Sequence, residues 1–224
     1  MSRELWEREY VNHSISSSTN TRPSHGTEFL RRNLPRVAEV TGPRRLLDLG
    51  CGGGRNAEML AETRLGFYGM DFAYRPLAAA VARAAEHRLR LVQASMASEL
   101  PFQSGMFSLV TAFTSVENIV ADEQLRQLAQ EVRRVLCPDG LLYVYFLTTD
   151  DTYYRPLVDR GADGRWLTYD PVTELHQRVY RIDELRELFS PALKLLTSES
   201  FAFSDTRSRG TYDRRLAAGL WKRD

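Results

Sequence analysis

The stretch PRRLLDLGCGGGRNAEML, from Pro43 to Leu60, constrains this chain more than any other. Leu46, Leu47 and Leu49 read as a buried strand, Gly50, Gly52, Gly53 and Gly54 as a turn, and the residues after Arg55 as the start of a helix. A strand that ends in glycines before a helix lets backbone approach a ligand closely and aims the helix N-terminus at it.

The rest of the chain repeats the alternation. Leu65 to Met70 reads as a second strand ending in Asp71, Leu89 to Ala94 as a third, Leu109 to Phe113 as a fourth and Leu141 to Leu147 as a fifth. Between them lie an alanine-rich helix, Pro76 to His87, and a strongly periodic one, Asp122 to Leu136. The periodic helix puts Leu125, Leu128, Ala129, Val132 and Val135 on one face, with acids at its positive end and Arg133 and Arg134 at its negative end. Helix returns at Asp183 to Phe189, and two strands, about Leu193 to Phe203 and Tyr212 to Lys222, close the chain. This pattern predicts an α/β fold with a mostly parallel sheet and one antiparallel partner, helices on both faces, and ligand at the carboxyl ends of the strands. Residues 1–40, with Trp6 and Tyr10 four apart and a helical stretch broken at Pro35, read as an N-terminal helical cap. Residues 149–180, polar and rich in aromatics, read as a lid-like insert within a single domain.

Composition narrows the class. The 224 residues are 43% hydrophobic and 26% charged, enough for one globular core, and a formal net charge of +1 provides no global pull toward nucleic acid or membrane. Arg207, Arg209, Arg214 and Arg215 form a local basic cluster, read as a solvated face. Cys51 and Cys137 have neither metal nor disulfide spacing, so reduced thiols and a cytoplasmic location are expected. The charged N-terminus does not resemble a signal peptide, and no apolar run is long enough to cross a bilayer. His13, His25, His87 and His176 show no ligand spacing, so no metal is expected. Nothing in the sequence speaks to oligomeric state.

The ligand follows from the residues around the turn. The dinucleotide pattern G-x-G-x-x-G fails at Arg55, and no P-loop is present. Asp48, just ahead of the turn, would repel a pyrophosphate and suit a cation. Asp71 is placed to accept hydrogen bonds from a ribose diol. A ribose, a positive centre and no phosphate point to S-adenosylmethionine.

LLDLGCGGGRNAEML, GMDFA, LVQASMASELPFQSGMFSLVTAFTSVENI and VRRVLCPDGLLYVYF together resemble the class I S-adenosylmethionine-dependent methyltransferases, within them the small-molecule group. The resemblance covers about residues 43–147 and implies a Rossmann-like seven-stranded sheet of order 3-2-1-4-5-7-6 with strand 7 antiparallel. It implies that Gly50 and Gly52 adjoin the amino-acid end of the cofactor, with Cys51 between them. Asp48 matches the acid ahead of the turn, Asp71 the ribose acid and Phe72 the residue flanking adenine. Ser95 and Met96 fall where the adenine edge is read, with Ser95 in place of the usual Asp; Phe113 and Thr114 end strand four beside the cofactor. Ser108 replaces the Asp of the family's "FD" motif.

Methyl transfer needs a positioned acceptor, a dry site and often a base. His25, Glu117 and His176 are the candidate bases; Asn118 stands where the family often has His. Tyr153, Tyr154, Trp166 and Tyr169 are candidates to stack on a planar acceptor or face the sulfonium, or else to pack the insert on the sheet. Arg22 is placed to pair the cofactor's carboxylate. The expected activity is methylation of O or N on a small molecule. RNA or protein methylation and a non-catalytic cofactor-binding partner are the alternatives.

Overall fold

The computed structural model describes residues 3–12, 25–86, 89–154, 158–160, 166–170, 174–190, 192–207 and 210–224. Its helices are α1 (Arg3–Asn12), α2 (Thr27–Arg32), α3 (Leu34–Glu39), α4 (Ala57–Ala61), α5 (Tyr74–Glu86), α6 (Asp122–Val135) and α7 (Ile182–Phe189). Its strands are β1 (Arg45–Leu49), β2 (Gly66–Asp71), β3 (Arg90–Gln93), β4 (Phe107–Phe113), β5 (Leu136–Leu147), β6 (Val158–Arg160), β7 (Trp166–Asp170), β8 (Leu175–Arg178), β9 (Lys194–Arg207) and β10 (Gly210–Lys222). Seven of them form one sheet in the order β3-β2-β1-β4-β5-β10-β9. Counting only the strands of this sheet, that is the expected 3-2-1-4-5-7-6. β10 runs antiparallel to β5 and β9, and the other pairings are parallel.

Strands buried on both faces need apolar residues at nearly every position, and β1, β4 and β5 have them. Leu47, Leu49, Val110, Ala112, Leu142 and Val144 point to one layer, where Leu125, Leu128 and Val132 of α6 and Phe189 of α7 meet them. Leu46, Leu109, Leu141 and Tyr143 point to the other, against Phe29, Leu30, Val37, Met59 and Leu60. Pro35 sits in the first turn of α3, where its missing N–H costs nothing, and the stretch from Thr27 therefore divides into two short helices.

Three local readings change. The fifth strand, expected from Leu141, begins at Leu136, and Pro138-Asp139-Gly140 is a kink inside it. β5 runs through it with Asp139 at φ 62° and a register shift opposite Phe107 and Leu109. The insert carries its own antiparallel sheet, β6-β7-β8. These strands are three to five residues long and punctuated by Gly and Pro, too short for alternation to be read. Arg214 is not on a solvated face. It is buried, with Nε 2.7 Å from Asp151 Oδ2 and Nη1 3.1 Å from Asp205 Oδ2, and its guanidinium lies 5.6 and 5.5 Å from the ring centroids of Tyr153 and Tyr154. Burial of an arginine requires such a partner, and the partner is far away in sequence. Arg209 lies outside the described residues. No helix among the described residues is long and apolar enough to cross a membrane.

Candidate active site

A cavity opens at the carboxyl ends of β1, β2 and β4. The glycine turn forms its floor. Gly50 and Cys51 donate their N–H groups to Met70 O (2.7 and 3.0 Å), which ties the end of β1 to the end of β2. Gly50, Gly52 and Gly54 have φ of 68°, 55° and 75°, the left-handed region that side chains disfavour. Space matters as much as φ. A Cβ on Gly50 would lie 2.5 Å from Ser115 Cβ, and one on Gly52 2.5 Å from Tyr10 Oη.

Asp71 stands at the end of β2 on the cavity wall. Its Oδ2 accepts from Gly52 N (3.0 Å) and its Oδ1 from Ala73 N (3.0 Å), so the carboxylate is held in one orientation with lone pairs left for a ligand. Burial pushes its pKa up to about 6 against the pull of those backbone N–H groups. Phe72 and Met96 line the same cavity. Ser95 faces an adjoining open groove shared with Phe72 and Gln93, and its hydroxyl accepts from Ala97 N (3.1 Å).

Asp48 is elsewhere. Its side chain is buried under the turn, accepts from Thr111 Oγ1 (2.7 Å) and is absent from the cavity wall. Period-two alternation sends it to the sheet face toward Thr111, its register partner on β4, beneath the turn rather than on the cavity wall. Desolvation pushes its pKa up to about 7. Cys51 lines the cavity, but burial raises its thiol well above the ordinary range, which makes it a filler of small volume rather than a nucleophile.

The candidate bases do not reach the cavity. His25 stacks on Phe203 of β9, with ring centroids 3.8 Å apart, and is exposed. His176 sits on β8 against Tyr169 (4.7 Å) and is likewise exposed. Glu117 is fully buried in the 3₁₀ turn Val116–Asn118. Its Oε1 accepts from Leu147 N (2.7 Å), which makes it a brace for the end of β5. His13, Arg22 and His87 lie outside the described residues. Among the insert aromatics, Tyr153 donates to Asp170 (2.9 Å) and, like Tyr154, packs on Arg214; none of the four lines the cavity.

What covers the cavity is α1. Trp6 and Tyr10, one turn apart, both line it. Tyr10 Oη accepts from Gly53 N (2.9 Å), and Trp6 Nε1 donates to Asn118 Oδ1 (3.2 Å). Glu7 accepts from Tyr74 N and Arg75 N (2.6 and 2.9 Å) at the positive end of α5. The insert meets this cover from the other side: Leu175 packs with Trp6 and Ala73, and Arg8 pairs with Glu174 (2.6 Å). Thr114, at the end of β4 with φ 48°, completes the wall, and Arg55 Nη2 donates to its Oγ1 (3.2 Å). The sequence offered Trp6 and Tyr10, four apart, either to close one end of the cofactor site or to pack a helix. Glu7 and Arg55 carried no local signal, since their partners come from other elements.

A mostly parallel sheet of this order, with a glycine cradle at β1 and a carboxylate at the end of β2, fits the nucleoside-binding methyltransferase class. The comparisons agree. A family model described as a methyltransferase domain matches residues 46–140. A demethylmenaquinone methyltransferase of Clavibacter sepedonicus is 34% identical over 67% of this chain and 59% of its own length. A ubiquinone biosynthesis O-methyltransferase of Pectobacterium atrosepticum is 30% identical over 69% of this chain and 73% of its own. A solved methyltransferase from Methanosarcina mazei shares the fold with a TM-score of 0.69 at 18% identity, covering 83% of this chain and 95% of that one. The chain belongs to the class I S-adenosylmethionine-dependent methyltransferase family.

Glu117 leads to a pH-dependent prediction. Desolvation lifts its pKa from 4.5 to about 8, and its Oε2 has no partner among the described residues. A carboxyl group whose folded pKa exceeds its unfolded value contributes stability that is fully present below about pH 4.5 and is lost as pH rises through about 8. Glu117→Gln keeps an acceptor for Leu147 N and removes the ionisation. The variant should match the wild type near pH 5 and exceed it at pH 8 by on the order of 1–3 kcal/mol. Thermal melts across that window check this, and parallel curves for the two proteins would refute it. Asp48 and Asp71 have the same sign of shift, so Glu117→Gln reduces the slope without abolishing it.

Proposed function

We propose that this chain transfers a methyl group from S-adenosylmethionine to an oxygen or nitrogen of a small-molecule acceptor. The observation that carries the reading is the pairing of the glycine cradle, which leaves no room for a Cβ at Gly50 or Gly52, with the oriented, cavity-facing carboxylate of Asp71. When bound, S-adenosylmethionine supplies a methyl group on a positively charged sulfur, which leaves as a neutral thioether. Asp71 would accept the ribose hydroxyls, Phe72 and Met96 would flank the adenine, and the turn backbone would adjoin the amino-acid end. Trp6 and Tyr10 close the cavity from above and exclude water, which favours loss of charge from sulfur. The relatives named for quinone methylation support a small aromatic acceptor.

Calorimetry with S-adenosylhomocysteine tests the cofactor half, and incubation with labelled S-adenosylmethionine and a panel of phenols, quinols, amines, RNA and protein extract tests the acceptor half. Asp71→Asn loses one charged acceptor and should weaken S-adenosylhomocysteine about 10- to 100-fold, as expected for a charge-assisted hydrogen bond. A folded wild-type protein that binds no S-adenosylhomocysteine would sink the proposal.

A further inference from the structure

We infer that Arg55 is an anion receptor on the acceptor side of the cavity, its guanidinium pairing with a negatively charged oxygen of the acceptor, a carboxylate or ionised hydroxyl. This rests on the methyl-transfer reading above and deepens it by naming the acceptor's charge.

Position comes first. Asp71 and Phe72 lie at the end of β2, whereas the Arg55 side chain reaches to Thr114 at the end of β4. β1 stands between β2 and β4 in the sheet. The nucleoside-type groups and the arginine therefore occupy opposite flanks of the glycine turn, and Arg55 is on the flank toward β5 and the insert.

Charge comes second. Among the described residues, Arg178 and Arg214 are buried and Arg55 lines the cavity. Arg214 pairs with Asp151 and Asp205, and Arg178 pairs with Asp122. Arg55 forms no ion pair with any described carboxylate; its hydrogen-bond partner is the neutral hydroxyl of Thr114. Asp48, the acid whose charge acts on it, forms no ion pair with it and accepts instead from Thr111 Oγ1. A guanidinium has five N–H donors in a fixed fork suited to carboxylate and phenolate oxygens, and most of those on Arg55 remain available to a cavity ligand. Desolvation lowers the Arg55 pKa, a cost that an incoming anion would offset.

The chemistry closes the case. A fixed cation beside a second cation, the donor's sulfonium, is unfavourable unless an anion lies between them. An acceptor oxygen placed there is drawn into its ionised form by both charges, and its proton leaves to solvent before transfer. The oxygen lone pair then forms the O–C bond while the C–S bonding pair goes to sulfur, giving a methyl ether or ester and a neutral thioether. Arg55 would do by its field what a general base does elsewhere, which suits a site that none of the described histidines reaches.

The probes are benzoate and its neutral isostere benzamide, titrated calorimetrically into protein saturated with S-adenosylhomocysteine. Wild type should prefer benzoate by about tenfold or more, the size of one charge-assisted pair. Arg55→Gln should erase the preference while its affinity for S-adenosylhomocysteine stays within about twofold, and Arg55→Lys should retain part of the preference. Two results overturn the inference: equal binding of benzoate and benzamide to the wild type, or a loss in Arg55→Gln of affinity for S-adenosylhomocysteine but not for 5′-methylthioadenosine. The second result would assign Arg55 to the cofactor's own carboxylate. Should Arg55→Gln not fold, Arg55→Lys carries the same comparison, with a preference undiminished from wild type counting against a bidentate receptor. Failure of the methyl-transfer reading looks different, since wild type would then bind no S-adenosylhomocysteine.

Discussion

Asp151→Ala should lower the melting temperature by about 10 °C, from a loss of about 3–5 kcal/mol. Asp151 is 0% exposed and accepts four hydrogen bonds: from Arg214 Nε (2.7 Å), Arg215 N (3.0 Å), Tyr153 N (3.0 Å) and Tyr154 N (3.3 Å). Removing it leaves three backbone donors without their acceptor and a 5% exposed guanidinium held only by the more open Asp205. The pair also joins the chain leaving β5 to β10, so the insert is anchored to the sheet through it. Asp205→Asn, by comparison, touches a carboxylate with 29% side-chain exposure and should cost about 1 kcal/mol or less. Replacing both partners, as in Asp151→Asn with Arg214→Met, should recover much of the single-variant loss, because no charge is then left buried alone. Calorimetric melts of the four proteins distinguish these outcomes; equal effects of Asp151→Ala and Asp205→Asn would show that the buried pair is not the anchor.

The second large effect is on ligand binding. Gly50→Ala should abolish measurable S-adenosylhomocysteine binding, a loss of about 100-fold or more, because the cradle must shift by the size of a methyl group where the ligand rests. The added Cβ would lie 2.5 Å from Ser115 Cβ and 3.0 Å from Met96 Cε, and φ is +68°. Backbone strain alone, about 1 kcal/mol for alanine in the left-handed region, does not account for such a loss. Gly105 provides the control: its φ is +69°, yet nothing lies within 4 Å of its would-be Cβ. Gly105→Ala should show the strain cost in stability and leave binding intact. If the two variants bind alike, the cradle is not the contact surface proposed for it.

Much of the architecture was legible beforehand because it rests on short-range rules. The LRLV run of β3, the amphipathic face of α6 and the two-faced apolar pattern of β4 and β5 each declare their element within a few residues. The positions of Asp71 and the glycines were legible for a related reason: one ends a strand and the others make the turn after a strand. Asp48 was misread because a strand residue's neighbour across the sheet decides its partner, and Thr111 lies 63 positions away in sequence. His25 and His176 were named because the cap or the insert could carry them over the cavity, and Glu117 because it matches a glutamate of the resembled family. Their positions are set by packing on Phe203, pairing with Tyr169 and bracing Leu147.

The sequence by itself determined the class of fold, the order of its strands and helices, and the place of the glycine turn at the end of β1. Each is a matter of local conformation and periodicity. Tertiary structure decided between closing and mere packing for Trp6 and Tyr10 of α1, buried Arg214 rather than leaving it solvated, and left Arg55 without an acidic partner among the described residues. Those outcomes depend on which distant groups are brought within hydrogen-bonding distance, and a charge declares its role only once its neighbours are in place.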